Sequence, residues 1–319
     1  MFSYLDVVKA YERIKDKIYK TPLDKSIYLS NENTNYYLKL ECLQPVKSFK
    51  LRGALSKLTT LTEEEKKRGV VAISSGNHGA AVSYASKLLG IDNVMIFVSK
   101  ATPQSKIEKI RYYGGNVKIA GENYDEVHEY GMKHIKDYDM TYIDAYYNDP
   151  IVYAGQGTVA LEIFEQNPNI DTILVPIGGG GLITGISVAA KTINPDVKII
   201  GVQTEACPAM IKALEDNVFY DTYPTKPSIC EALVGGVGEL AYQMARDYID
   251  DIIEVHESFI EKAVAHIIKK EKVIAEPSSA ITIAAIMQQS KKIDGRNIAL
   301  VISGGNIDKD LMVSLLNKH

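Results

Sequence analysis

Short apolar strands that alternate with helical segments predict an α/β protein made of two open parallel-sheet domains. Three observations carry this. Stretches such as Val70-Val71-Ala72-Ile73 and Val94-Met95-Ile96-Phe97-Val98 are continuously apolar, as strands covered by helices on both faces must be. Polar or glycine-rich segments fall where such strands end, the edge at which open α/β sheets bind ligands. No Gly/Ser/Pro linker divides the chain, so a second unit must be an insertion: a small α/β domain of residues 70–147 inside a large domain of 1–69 and 148–319.

The elements follow in order. Leu5, Val8, Ile14 and Ile18 have helical spacing and predict a helix over 4–20. Tyr36-Tyr37-Leu38-Lys39-Leu40 alternates and is rich in β-formers, so it reads as a strand. The cluster Glu63-Glu64-Glu65-Lys66-Lys67-Arg68 reads as a solvated helix face. Strands at 70–73, 94–98 and 117–119 precede helices over 80–89, 103–112 and 124–137. The second half repeats the theme with a helix over 157–166, a strand over 172–177, a helix over 182–193 and a strand over 197–203.

Composition removes several classes of function. The 319 residues are 46% hydrophobic and 24% charged, ordinary for a globular protein and large enough for a full core. Net charge is −4 with no basic stripe, which argues against a nucleic-acid partner. No apolar run approaches the roughly 18 residues of a membrane span, and the N-terminus lacks signal-peptide features. Three scattered cysteines argue for a reducing, cytoplasmic setting. Apart from His78, the histidines show no functional spacing.

Four segments carry chemistry. Gly178-Gly179-Gly180-Gly181-Leu182 joins a strand to a helix, so several backbone N–H groups and a helix N-terminus can converge on one phosphate. It is no P-loop, because Leu182-Ile183 stands where Lys-Ser/Thr would, and it spells no G-x-G-x-x-G. Glu205, just past the next strand, keeps a nucleotide reading open. Lys47-Ser48-Phe49-Lys50-Leu51-Arg52-Gly53 offers lysine amines at a helix entrance. Ser74-Ser75-Gly76-Asn77-His78-Gly79 offers N–H groups and hydroxyls suited to a carboxylate, and Ser303-Gly304-Gly305-Asn306 closes the last strand. Phosphate, amine and carboxylate subsites at one sheet edge describe pyridoxal phosphate with an amino-acid substrate.

At these residues the sequence resembles the fold-type-II pyridoxal-phosphate enzymes, of tryptophan synthase β-like architecture, and within them the serine/threonine dehydratase and serine racemase branch. The resemblance runs from Thr21-Pro22-Leu23 to Ser303-Gly304-Gly305-Asn306 and includes Ala154-Gly155-Gln156-Gly157-Thr158 and Ala275-Glu276-Pro277-Ser278-Ser279-Ala280. It implies that the large domain binds the cofactor. Lys50 would form the Schiff base, Phe49 pack on the ring and Asn77 bond the ring hydroxyl. Gly178, Gly179, Gly180, Gly181 and Leu182 would hold the phosphate, and Ser303 would face the pyridine nitrogen. Ser74, Ser75, Asn77 and His78 would cradle the substrate carboxylate. A homodimer is implied as well.

Some positions depart from the family pattern. Glu205 and Ala209 match two members of a divalent-cation set, but Ile211 stands where its aspartate belongs. Cys230-Glu231-Ala232 replaces the usual Ala-Asp-Gly/Ser near the cofactor. No regulatory domain is expected after His319.

The resemblance implies a threonine/serine dehydratase, an ammonia-lyase that yields a 2-oxo acid. A second reading is a serine racemase, or a lyase for another β-hydroxy amino acid such as 3-hydroxyaspartate. Ser75 matches the acid/base serine of the racemases, whereas Tyr147-Asn148-Asp149-Pro150 is similar to dehydratases. A β-replacement synthase would show Lys-Asp-Arg where this chain has Lys50-Leu51-Arg52. A non-catalytic ligand-binding sensor leaves Lys50 and Ser303 without a role.

Overall fold

A computed structural model of the chain describes residues 1–122 and 124–319. Its strands are β1 (Leu23–Lys25), β2 (Asn35–Lys39), β3 (Val70–Ile73), β4 (Val94–Val98), β5 (Asn116–Ile119), β6 (Thr141–Tyr142), β7 (Thr172–Pro176), β8 (Lys198–Thr204), β9 (Asp251–Val255) and β10 (Asn297–Val301). They form a six-stranded sheet in the order β1-β2-β10-β7-β8-β9 and a four-stranded sheet in the order β5-β4-β3-β6. Every pairing is parallel except β1 with β2, where a three-residue edge strand runs antiparallel. The architecture is α/β with two open, predominantly parallel sheets.

β3 and β7 are buried at every position, which explains their unbroken apolar sequences. Separate apolar clusters cover the two faces of the large sheet. The small sheet is different, because one of its faces shares a core with residues that precede it. Leu51, Leu55 and Leu58 of the helix Lys50–Leu58 pack with Val70, Ala72, Val82 and Ile96. That helix therefore touches both sheet systems, and Lys50 is its first residue.

Three helices differ from their predicted limits by three residues or more. The first spans Tyr4–Ile14 and not 4–20, and it starts on a Ser3/Asp6 capping box. The helix predicted over 80–89 begins earlier, at Asn77, which puts Asn77 and His78 in its first turn. The helix predicted over 157–166 is Pro150–Gln166, with proline in its first turn and Asp149 capping Ile151 N at 2.9 Å. Its start carries no helical period because both sides are buried. A Cβ on Gly155 would lie 2.6 Å from the Arg52 carbonyl oxygen, and one on Gly157 would lie 2.6 Å from that of Gly185, so glycine lets the three helices touch along their backbones.

Between 205 and 296 the sequence reading assigned no elements. This stretch contains β9 and the helices Ala209–Asp216, Glu239–Tyr248, Glu257–Lys269 and Pro277–Met287.

Candidate active site

Lys50 is delivered to the site by a tied loop. Lys47 adopts a left-handed backbone (φ 61), and its carbonyl accepts the Gly305 N–H at 2.9 Å. Phe49 N–H donates to the Ser303 carbonyl at 3.0 Å, and Ser48 bridges to Gly304. The end of β10 thus fixes the start of the lysine helix. Lys50 Nζ donates to the Ala145 carbonyl at 3.0 Å and lies 5.4 Å from the Phe49 ring centroid and 5.8 Å from that of Tyr146. Burial pushes its amine down to about 8, against an opposing pull from Asp144.

The Tyr146 ring also meets the glycine loop. A Cβ on Gly179 would fall 1.9 Å from Tyr146 Cδ2, and Gly180 has φ +90, so neither position accepts a side chain. The helix Gly181–Ile193 starts immediately after. Among the described residues, the N–H groups from 178 to 183 find no acceptor, although the Gly179 carbonyl takes Gly238 N–H at 2.8 Å. Unmatched donors at a helix N-terminus make an anion site. These residues fit the phosphate of pyridoxal phosphate, and the desolvated Lys50 amine fits its aldehyde.

A second set of free donors lies at the end of β3. The Ser74 hydroxyl accepts Gly76 N–H at 3.2 Å, while the N–H groups of Ser75, Asn77, His78 and Gly79 have no acceptor among the described residues. The Ser75 hydroxyl is likewise without a partner there. His78 is only 3% exposed, and its Nε2 lies 2.8 Å from the Ile143 carbonyl. A carbonyl only accepts, so Nε2 carries the proton. Burial, reinforced by Lys50, pushes the imidazole down to about 4 and keeps it neutral. It is the backbone N–H of His78, not the buried ring, that is left free for a ligand.

The Ser303 hydroxyl pairs with Ser279 Oγ at 2.9 Å, and Ser279 also binds both polar backbone groups of Gly304. Asn77 Nδ2 donates to Glu276 Oε1 at 2.8 Å, and Asn77 Oδ1 accepts from Asn306 Nδ2. Contacts therefore tie Phe49 and Lys50 to the 303–306 segment, which also bonds Asn77, and Tyr146 links Lys50 to the glycine loop.

Glu205 and Ala209 do not fit a divalent cation. The Glu205 carboxylate is taken by His256 Nδ1 at 2.6 Å and Glu257 N–H at 3.0 Å, and Ile211 contributes an apolar side chain. Among the described residues, no group of three His, Cys, Asp or Glu side chains could hold a metal.

Sequence reasoning missed two arrangements. The strap 143–148 crosses over Lys50, with the Asp144 carboxylate accepting the N–H groups of Tyr146, Tyr147 and Asn148. Beneath the lysine helix lies a fully buried charge cluster. Arg52 binds both Glu41 and Glu162 at 2.7 Å, and Lys39 binds Glu162 at 2.6 Å. Burial disfavours the Glu41 charge, but the Arg52 guanidinium overrides it and holds the carboxyl below its usual range. A charged Lys39 inside an apolar strand and an Arg52 two residues from Lys50 were the available signals.

A family model described as "Pyridoxal-phosphate dependent enzyme" matches residues 14–304. The L-threonine ammonia-lyase of Thermotoga maritima is 38% identical over 320 residues, covering 100% of this chain and 79% of that protein. Maize serine racemase superposes with a TM-score of 0.91 at 33% identity, over 99% of this chain and 97% of that one. The processed form of threonine deaminase isoform 2 from Solanum lycopersicum gives 0.91 at 32% identity, over 98% and 92%.

Proposed function

The chain belongs to the pyridoxal-phosphate-dependent enzymes, and on that premise we propose that it is an ammonia-lyase converting L-threonine and L-serine to 2-oxo acids. The observation that carries this reading is the desolvated Lys50 amine near two sets of N–H donors without acceptors among the described residues, those of 178–183 and those of Ser75, Asn77, His78 and Gly79. One set suits a phosphate and the other a substrate carboxylate.

In this reading the N–H groups of Gly178, Gly179, Gly180, Gly181 and Leu182 hold the phosphate. Phe49 lies against the ring, Asn77 donates to the ring oxygen and Ser303 faces the ring nitrogen. Ser74, Ser75, Asn77 and His78 hold the substrate carboxylate, His78 through its backbone. When bound, the cofactor supplies an aldehyde that captures amines and a ring that draws electrons from Cα. With that group bound, Lys50 would hold it at rest and, freed by the substrate amine, would be the base for the Cα proton. A depressed lysine is suited to this, because part of the population is a neutral base near pH 7–8. The β-hydroxyl leaves as water, hydrolysis returns a water, and ammonia is the net loss. Ser303 is a neutral partner for the ring nitrogen and favours protonation there less than a carboxylate would, which suits β-elimination.

Racemisation is the second reading, favoured by one observation: the Ser75 hydroxyl has no partner among the described residues and is free to exchange a proton. Incubating the holoenzyme with L-threonine or L-serine, assaying 2-oxo acid and resolving the remaining enantiomers decides between them. Stoichiometric 2-oxo acid and ammonia support the lyase. D-serine without 2-oxo acid would replace it with the racemase.

The same reading treats 70–147 as the small domain inserted into a cofactor-binding domain of 1–69 and 148–319. It also includes a homodimer in the cytoplasm. Ile27, Tyr28 and Ile274 are more than half exposed and share one face, since Ser26 bonds Glu271 and Lys270 lies over Tyr28. A second copy of the chain would cover them. All three cysteines are free, as a reducing compartment requires.

A further inference from the structure

Around Asn306 the hydrogen bonds have a fixed direction. Lys109, on the helix Gln104–Tyr112, donates to Asn306 Oδ1. An ammonium group cannot accept, so Asn306 must turn its oxygen toward it. The other end of the amide agrees independently, because Asn306 Nδ2 donates to the Val46 carbonyl at 3.1 Å, and a carbonyl cannot donate. The second hydrogen of that amino group goes to Asn77 Oδ1. Asn77 therefore meets Asn306 with its oxygen and Glu276 with its amino group, at 2.8 Å from Oε1. Glu276 Oε2 closes the ring by accepting Asn306 N–H at 3.1 Å.

Two ends of the Asn77 amide are now committed. Its oxygen is taken and one N–H is on Glu276, which leaves one N–H to donate to a ligand. The ring is also shared between the two parts of the fold, because Asn77 and Lys109 follow the small sheet's strands while Asn306 and Glu276 flank β10. Glu276 is buried, and burial raises its carboxyl above the usual range, opposed by Asn306 N–H, Asn77 and Lys109. A carboxylate acceptor there depends on these donors.

We infer that Lys109 is a positioning residue: through Asn306, and jointly with the Val46 carbonyl, it holds the Asn77 amide so that an N–H, and not the oxygen, faces the cofactor's ring oxygen. This rests on the reading of Asn77 as the contact to that oxygen. Lys109 adds no contact of its own to the cofactor. What it fixes is the polarity of one, and that polarity determines whether the ring oxygen is stabilised as an anion.

The test compares holoenzyme absorption spectra across pH, and dissociation constants for pyridoxal phosphate, in the wild type, Asn77→Ala, Lys109→Met and Lys109→Arg. Arginine is also a pure donor. The expected result is a spectral shift in Lys109→Met in the same direction as in Asn77→Ala, cofactor binding weakened about fivefold, and recovery of both in Lys109→Arg. If Asn77→Ala keeps the wild-type spectrum, the Asn77 reading itself is wrong. If Asn77→Ala shifts while Lys109→Met does not, Lys109 does not set the amide, even when Lys109→Met melts at a lower temperature.

Discussion

Lys50 Nζ and the carbonyl oxygen of Ala145 are 3.0 Å apart, so the amine that would hold the cofactor is itself held by the strap crossing above it. The strap is fixed on either side, by His78 on Ile143 and by Tyr153 OH on the Tyr146 carbonyl at 2.5 Å. Lys50 is therefore held in one place, desolvated, with no carboxylate bonded to it among the described residues.

The first prediction concerns that desolvation. With the amine pushed down to about 8, its neutral fraction grows with pH and levels off above that value. Stopped-flow capture of pyridoxal phosphate by the apoprotein should accelerate about tenfold from pH 6 to 7 and plateau beyond pH 8–9. A rate still climbing in proportion past pH 10 would mean that Lys50 behaves as an ordinary surface lysine.

His78 gives a stability signature. Its native value near 4 lies below the ordinary 6.5, so between these limits the unfolded chain binds a proton that the native state refuses. Stability should therefore be complete above about pH 6.5 and fall toward pH 4, by roughly 3 kcal/mol from this group. His78→Gln should flatten that slope in denaturant titrations at several pH values. An unchanged slope would exclude a buried neutral imidazole.

Glu162 anchors both Arg52 and Lys39 with no exposure to water. Glu162→Gln leaves those cations underpaired, and removing one partner of a buried pair costs roughly 3–5 kcal/mol. Thermal melting should drop by roughly 5–15 °C. A drop of a degree or two would show that the cluster tolerates an unpaired charge.

At the glycine loop, Gly179→Ala must displace the Tyr146 ring, because the new Cβ would lie 1.9 Å from it. Pyridoxal phosphate should then bind at least about tenfold more weakly by equilibrium titration, with the melting temperature of the apoprotein little changed. Wild-type affinity would place the phosphate elsewhere.

What the sequence revealed and what it hid have physical causes. β3, β4 and β7 were legible because doubly covered strands are written as nearly unbroken apolar runs. The glycine loop and the Ser74 to Gly79 segment were legible because their backbone chemistry is local. The start of the helix Pro150–Gln166 was not, because a helix buried all round has no polar face to mark its period. The ring through Lys109, Asn306, Asn77 and Glu276 was hidden for another reason. Its side-chain bonds join residues 197, 199 and 229 positions apart, and only folding brings them together. Lys39 was read as part of an alternating strand, and its inward charge makes sense only beside Glu162.

The most direct test of the central claim, that Lys50 is the residue carrying the cofactor, is borohydride reduction of the holoenzyme followed by peptide mapping. A single modified peptide is predicted, with the added pyridoxyl phosphate mass on Lys50 and loss of label when L-threonine is present in excess. Label on any other lysine would contradict it, while label on Lys50 that L-threonine does not diminish would count against L-threonine as the substrate.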